Sequence, residues 1–159
     1  MSTPNDAIVC VLFVCLGNIC RSPLAEAALR AEAERAGLDV QVDSAGTGDW
    51  HVGSPPDSRA QAVALRYGID ISGYRGRQVT AEDFRRFDHV FALDAENLEN
   101  LRRLRPPDGT AELRLLMDLV PGREGSGVSD PYFGDDAGFD VTWDDVTRAA
   151  RAIVERLQP

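Results

Sequence analysis

Two residues near the amino terminus have the types and the spacing of a site that binds a phosphate group above a nucleophile. Cys15 and Arg21 bracket the stretch CLGNICR. A cysteine thiolate attacks phosphorus, and a guanidinium holds two phosphate oxygens at once because its N–H groups form a planar fork. Gly17 permits a backbone conformation that is closed to other residues, and Asn18 tolerates a left-handed one. We therefore treat residues 15–21, the phosphate loop, as a candidate catalytic site.

The elements on either side of the phosphate loop complete this prediction. Residues 8–14 form an unbroken apolar run of strand length, which is typical of a buried parallel strand. Behind the loop we expect a helix over residues 24–35, with Ser22 as its N-cap and Pro23 at its first position. The unpaired N–H groups and the dipole at that helix end attract a dianion and favour the thiolate form of Cys15.

The rest of the chain alternates between short apolar segments and helix-forming segments. Further strands are predicted over residues 39–43, 88–93 and 112–117, and further helices over residues 57–67, 95–104 and 138–157, with a Gly-, Ser- and Pro-rich loop over residues 44–56. This order predicts an α/β fold, a three-layer sandwich with a central four-stranded parallel sheet, helices on both faces and the phosphate loop after the first strand. A length of 159 residues fits a single domain, 1–159, with a flexible N-terminus over residues 1–6.

Composition excludes several classes of function. The net charge of −9 argues against binding to nucleic acid or to an anionic membrane, and no membrane or targeting segment is visible. Every basic residue is an arginine, which excludes a Walker-type phosphate loop because that loop needs its lysine. The three cysteines Cys10, Cys15 and Cys20 are an odd, clustered set, which favours a reducing, cytoplasmic environment. With two histidines and no ligand-spaced Cys/His set, we expect neither a metal nor another cofactor.

A second motif, Asp130-Pro131-Tyr132, lies far downstream in a Gly-rich segment. A phenolate or alkoxide leaves poorly unless an acid protonates it, so the reaction needs a carboxylic acid near the leaving oxygen. Pro131 biases Asp130 toward an extended conformation and so fixes the direction of its side chain. Alone the motif is weak, since Asp before Pro is common in turns.

Together these two motifs resemble those of the low-molecular-weight protein tyrosine phosphatases, and the resemblance covers nearly the whole chain. It implies hydrolysis of phosphotyrosine in proteins in two steps, through a phosphocysteine on Cys15. It further implies that Arg21 binds the phosphate and that Asp130 acts first as general acid and then as general base. The implied partners are tyrosine-phosphorylated proteins, with inorganic phosphate or another oxyanion able to occupy the loop.

The same resemblance implies roles for further residues. The implied substrate-binding residues are Leu16, Gly17, Asn18, Ile19, Cys20, Ser22, Trp50 and Tyr132, and the implied supporting residues are Ser44, Asp94 and Tyr74. Tyr74 stands near a position where many members have a histidine that helps to hold Asn18. Phe133 replaces a tyrosine found in many members. His51 is predicted to be a solvated loop residue.

The sequence alone leaves three questions open. Cys20 either forms a reversible disulfide with Cys15, as the resemblance implies, or simply fills the loop. An arsenate reductase on the same scaffold is an alternative, but the thioredoxin-coupled type needs further cysteines and no cysteine follows Cys20. A phosphate-binding module without catalysis is the other alternative, and it would have no need for both Cys15 and Asp130.

Overall fold

The computed structural model describes residues 8–158, so the expected flexible N-terminus over residues 1–6 lies outside the described part. Within these residues, four strands and five α-helices follow one another. They are β1 (Val9–Cys15), α1 (Arg21–Ala36), β2 (Val40–Gly46), α2 (Ser58–Arg66), α3 (Asp83–Arg86), β3 (His89–Ala92), α4 (Ala95–Leu104), β4 (Glu112–Leu115) and α5 (Asp136–Leu157), with a 3₁₀ helix over Leu116–Leu119 after β4.

The four strands form one parallel sheet in the order β2–β1–β3–β4. In the register of this sheet, Phe13 of β1 lies between Ser44 of β2 and Phe91 of β3. The phosphate loop leaves the carboxyl end of β1, an interior strand, which is where open parallel sheets place their ligand sites. The predicted four-stranded parallel sheet is therefore confirmed.

Alternate side chains of β1 feed two separate cores, because successive residues of a strand point to opposite faces. Val11 and Phe13 pack with apolar residues of α1, α2 and α5. Leu12 and Val14 pack on the other face with residues of α3 and α4. Helices thus cover both faces of the sheet, which confirms the predicted three-layer sandwich. Within residues 8–158, no helix is long and apolar enough to span a membrane.

The structure corrects three element boundaries. Helix α1 begins at Arg21 with Cys20 at its N-cap position, so the prediction that Ser22 caps this helix is wrong. Strand β2 continues three residues past its predicted end at residue 43, because residues 44–46 pair with residues 13–15 of β1. Strand β4 ends at Leu115, since the chain turns there into the 3₁₀ helix.

Candidate active site

Cys15 lies buried at the base of the phosphate loop, with hydrogen-bond donors arranged around its sulfur. The backbone N–H of Asn18 donates to Cys15 Sγ at 3.3 Å, and the hydroxyl of Ser22 lies 3.0 Å from the same atom. Ser22 is completely buried in the first turn of α1. Donors aimed at a sulfur stabilise its negative charge. Ser22 therefore does not cap α1, and its hydroxyl faces the Cys15 thiol instead.

Asn18 holds the phosphate loop in its curved shape from within. Its φ of 59° is the one positive φ of a non-glycine residue in the described chain. The Asn18 side chain donates to Ser22 Oγ at 2.8 Å and to Ser44 Oγ at 3.0 Å, and its Oδ1 accepts from the backbone N–H of Arg77 at 2.9 Å. These bonds offset the cost of a left-handed backbone. The side chains of Asn18 and Ser22 thus hydrogen-bond to each other inside the site, and their assignment as substrate-binding residues stays a prediction.

Arg21 is 4% exposed and is held by the end of β3 and by a distant loop. Its guanidinium donates to Asp94 Oδ2 at 2.7 Å and to the carbonyl of Val128 at 3.0 Å. Burial by itself lowers the pKa of Arg21, but the negative charges of Cys15 and Asp94 raise it above its ordinary value. The guanidinium is therefore a fixed positive charge with a fixed direction, as phosphate binding requires.

Asp94 has two roles in the structure. One carboxylate oxygen accepts from Arg21, and the other accepts from the backbone N–H of Asn97 at 2.8 Å, which caps α4. Asp94 is thus both the N-cap of α4 and a link between this helix and Arg21 of the phosphate loop.

A cavity of about 150 Å³ opens directly above Cys15. Six of its lining residues belong to the phosphate loop. Aromatic side chains from two separate loops also line it, with Trp50 on one and Tyr132 and Phe133 on the other. A flat ring fits between such walls, because aromatic side chains offer large apolar faces. The residues that line the cavity are Cys15, Leu16, Gly17, Ile19, Cys20, Arg21, Trp50, His51, Asp130, Tyr132 and Phe133.

His51 and Phe133 line this cavity although the sequence did not place them in the site. A Cβ atom added to Gly17 would lie 3.1 Å from the His51 ring, so the imidazole packs over the phosphate loop. Phe133 is 93% exposed and lies edge-on to Tyr132 at the rim. The signal available in the sequence was their adjacency to Trp50 and Tyr132.

Asp130 lies at the wall of the cavity, and its side chain is 41% exposed. One carboxylate oxygen accepts from the backbone N–H of Tyr132 at 3.1 Å, and the other lies 3.8 Å from Arg21 Nη2. The carboxyl group thus stands beside the guanidinium and lines the same cavity as the thiol.

Tyr74 does not contact Asn18 in the described chain, which departs from the resemblance. Its hydroxyl instead accepts a hydrogen bond from Arg30. Arg30 pairs with Glu26 at 2.9 Å, and Glu26 accepts from the Ser44 hydroxyl at 2.7 Å. The donor to Asn18 Oδ1 is the backbone N–H of Arg77, at 2.9 Å. Tyr74 therefore reaches Asn18 only through a chain of polar residues.

Cys20, which also lines the cavity, is held in its neutral thiol form. Burial, followed by the negative charges of Asp57, Cys15 and Asp130, raises the pKa of the Cys20 thiol well above its ordinary value. All three cysteines are free thiols. Among residues 8–158, no group of three or more His, Cys, Asp or Glu side chains is arranged to hold a metal ion.

Comparison with known proteins gives a consistent set of relatives. The family model of the low molecular weight phosphotyrosine protein phosphatases matches residues 10–159. The enzyme of that name from Schizosaccharomyces pombe is 45% identical over 132 residues, which cover 81% of this chain and 84% of the relative. The crystal structure of YfkJ from Bacillus subtilis superposes with a TM-score of 0.88 at 38% identity, covering 96% of both chains. The crystal structure of DARP, a Drosophila arginine phosphatase, superposes with a TM-score of 0.88 at 34% identity, covering 94% of this chain and 98% of the DARP chain.

Proposed function

Because the chain belongs to the low molecular weight phosphotyrosine protein phosphatase family and is on that ground a protein tyrosine phosphatase, we propose that it works through a phosphocysteine on Cys15. The observation that carries this proposal is the position of the Cys15 sulfur. It lies at the floor of a cavity whose wall carries a buried, charged Arg21 and the carboxyl group of Asp130.

The first step is transfer of the phosphoryl group to sulfur. The phosphate oxygens dock on the loop N–H groups and on Arg21, while the Cys15 thiolate attacks phosphorus in line with the leaving oxygen. The sulfur–phosphorus bond forms as the phosphorus–oxygen bond breaks, and the proton of Asp130 passes to the leaving phenol oxygen. Positioning and charge stabilisation supply most of the rate acceleration in phosphoryl transfer.

The second step returns the enzyme to its starting state. Water gives a proton to the Asp130 carboxylate and attacks phosphorus, inorganic phosphate leaves, and Cys15 departs as a thiolate. The donors from Ser22 and Asn18 stabilise that thiolate. No residue in this scheme needs a metal ion, so we expect activity to persist in a chelator.

The aromatic walls of the cavity support phosphotyrosine as the substrate. Trp50 and Tyr132 can contact both faces of a phenyl ring. We expect a phosphoserine side chain, which has no ring, to gain nothing from these walls and to be the poorer substrate. Because one structural relative is an arginine phosphatase, phosphoarginine is the competitor that a specificity measurement has to include.

The test is turnover of matched peptides that carry phosphotyrosine, phosphoserine or phosphoarginine, in the presence of EDTA. We expect phosphate release from the phosphotyrosine peptide by the wild type and none by Cys15→Ser. Acid quenching during turnover should trap a phosphoenzyme whose phosphate is bound to sulfur. Tight phosphopeptide binding without turnover by folded, reduced wild type would instead favour the binding-module interpretation. Preference for phosphoarginine would reassign the substrate but retain the chemistry.

We also propose that the enzyme is cytoplasmic and sensitive to oxidants. Cys15 and Cys20 line the same cavity, which supports a reversible disulfide between them. Peroxide would convert the Cys15 thiolate to a sulfenic acid, and the Cys20 thiol would then displace water to form the disulfide. We expect peroxide to inactivate both proteins. Dithiothreitol should restore the wild type, whereas in Cys20→Ala excess peroxide should oxidise the untrapped sulfenic acid of Cys15 to the irreversible sulfinic acid, so that activity is not recovered.

A further inference from the structure

We propose that Arg59 is a positioning residue for the general acid, because its guanidinium ties the loop that carries Asp130 to the helix that contacts the phosphate loop. This inference rests on the general-acid role proposed above for Asp130. Arg59 lies in the first turn of α2, far from Asp130 in sequence, and is not among the residues that line the cavity.

The first half of the link runs from Arg59 to the acid loop, residues 129–134. Arg59 Nη2 donates to the carbonyl of Tyr132 at 2.9 Å, and Nη1 donates to the carbonyl of Gly134 at 3.1 Å. The guanidinium also lies over the rings of Tyr132 and Phe139, at 5.8 and 4.7 Å from their centroids. Arg59 thus binds the backbone of this loop on the carboxyl side of Asp130 and packs on one of its aromatic walls.

The second half of the link runs from Arg59 to the phosphate loop through Asp57. Arg59 Nε and Nη2 each lie 3.1 Å from a carboxylate oxygen of Asp57, so the pair is bidentate. The backbone N–H of Asp57 in turn donates to the carbonyl of Ile19 at 2.8 Å. One guanidinium therefore connects the loop with the nucleophile to the loop with the acid.

Asp130 needs such a constraint because its own side chain is weakly held. It accepts one local hydrogen bond, from the Tyr132 backbone, and its contact with Arg21 is long, at 3.8 Å. The direction of its carboxyl group is therefore set by the backbone of residues 130–132. Arg59 fixes that backbone at Tyr132, and misplacement of a catalytic group by about 1 Å is enough to lower a rate substantially.

The experiment compares kcat/KM for two substrates that differ in their need for an acid. Phenyl phosphate has a poor leaving group and needs protonation, whereas p-nitrophenyl phosphate has a good one. We expect Arg59→Gln to lower kcat/KM for phenyl phosphate about tenfold or more and for p-nitrophenyl phosphate by less than about threefold. Arg66→Gln is the matched control, since Arg66 also links α2 to α5, through Asp140, but is remote from the acid loop. It should leave both values within about twofold of wild type.

A double variant separates positioning from a general structural role. If Arg59 acts through Asp130, Arg59→Gln should have no further effect on phenyl phosphate in an Asp130→Asn background. An equal loss for both substrates, or a further loss in that background, would overturn the proposal. Should Asp130→Asn alone spare phenyl phosphate, the acid assignment fails, and the positioning role fails with it. Arg59→Lys, which keeps the charge and much of the packing, should fall between Arg59→Gln and wild type, and it replaces the glutamine variant if that one unfolds.

Discussion

Ser22 Oγ lies 3.0 Å from Cys15 Sγ, and the surrounding bonds decide which of the two atoms donates. The Asn18 amide is oriented by the Arg77 N–H on its oxygen, so its NH₂ group points to Ser22 and donates to the hydroxyl oxygen. The Ser22 proton is then free to point at the sulfur, since its other acceptor, the carbonyl of Ala45, is farther away at 3.4 Å. Ser22 is therefore placed to stabilise a Cys15 thiolate, both before the proposed attack and when sulfur leaves in the proposed second step.

Ser22→Ala should slow breakdown of the phosphocysteine. A hydrogen bond to a charged group contributes about 1.5–3 kcal/mol, which corresponds to a loss in kcat of roughly ten- to a hundredfold. Rapid-quench kinetics with p-nitrophenyl phosphate should then show a burst of nitrophenol followed by a slow phase. Ser72→Ala, at an exposed loop position, is the control and should match wild type. Unchanged kcat in the Ser22 variant would show that Cys15 leaves without this donor.

Tyr74→Phe tests whether the phosphate loop depends on the polar chain that runs from Tyr74 to Asn18. Asn18 is held directly by Ser44, Ser22 and Arg77, so removal of the Tyr74 hydroxyl should leave kcat/KM within about threefold of wild type. The free energy of unfolding should fall by about 1 kcal/mol, because Arg30 loses one acceptor. Urea unfolding and steady-state kinetics measure the two effects. A tenfold or larger loss of kcat/KM would mean that the shape of the phosphate loop depends on the Tyr74 hydroxyl, contrary to this prediction.

The sequence could predict the parts of the site that lie within one short segment, but not the contacts between distant segments. Cys15, Gly17, Asn18 and Arg21 lie within one short loop, so strand, loop and helix signals were enough to place them together. The partners of Arg21 are distant, since Val128 lies 107 residues farther along the chain. Only the folded sheet brings these segments to one edge. Arg59 could not be singled out either, because nothing local distinguishes it from the other arginines.

The carboxyl end of β2 shows that a strand boundary, too, could not be predicted from the local sequence alone. Ser44, Ala45 and Gly46 are small or polar, which predicts a loop, yet they pair with Phe13, Val14 and Cys15 of β1. Strand pairing is decided by neighbours in the sheet more than by intrinsic preference. The extended strand matters for function, because it carries the Ser44 hydroxyl to Asn18.

The Asp57–Arg59 pair should make stability depend on pH in a defined direction. Burial alone raises the pKa of the Asp57 carboxyl, but hydrogen bonds from the Arg59 side chain and backbone outweigh it and hold the pKa below its ordinary value of 3.8. A carboxyl group with a depressed pKa stabilises the fold above its unfolded-state pKa, and that stabilisation is lost as the pH falls through the folded-state pKa.

Asp57→Asn should therefore lower the free energy of unfolding by about 1 kcal/mol at pH 7, because the pair is only partly shielded from water. The difference from wild type should shrink as the pH is lowered past 3.8. Asparagine keeps an N-cap oxygen for α2, so the helix itself should survive. Urea unfolding across this pH range gives the measurement, and a difference that grows toward acid pH would contradict the assigned direction.

Gly48 is required by the position of Trp50. A Cβ atom at residue 48 would lie 1.9 to 2.7 Å from three atoms of the indole ring, so Gly48→Ala must displace Trp50 from its place at the cavity wall. Trp50 is 69% exposed, so its displacement should cost less than about 1 kcal/mol of stability. The KM for p-nitrophenyl phosphate should rise by roughly three- to tenfold, because an aromatic contact contributes about 0.5–1.5 kcal/mol.

A second glycine and a second background make the Gly48 prediction specific. Gly73→Ala is the matched control, since a Cβ there meets no atom within 4 Å, and its KM should equal that of wild type. In a Trp50→Ala background, Gly48→Ala should have no further effect on KM, because the ring that it displaces is already gone. If the KM rose again in that background, the glycine would be acting on the phosphate loop itself, and the wall formed by Trp50 would not be the reason for a small residue at position 48.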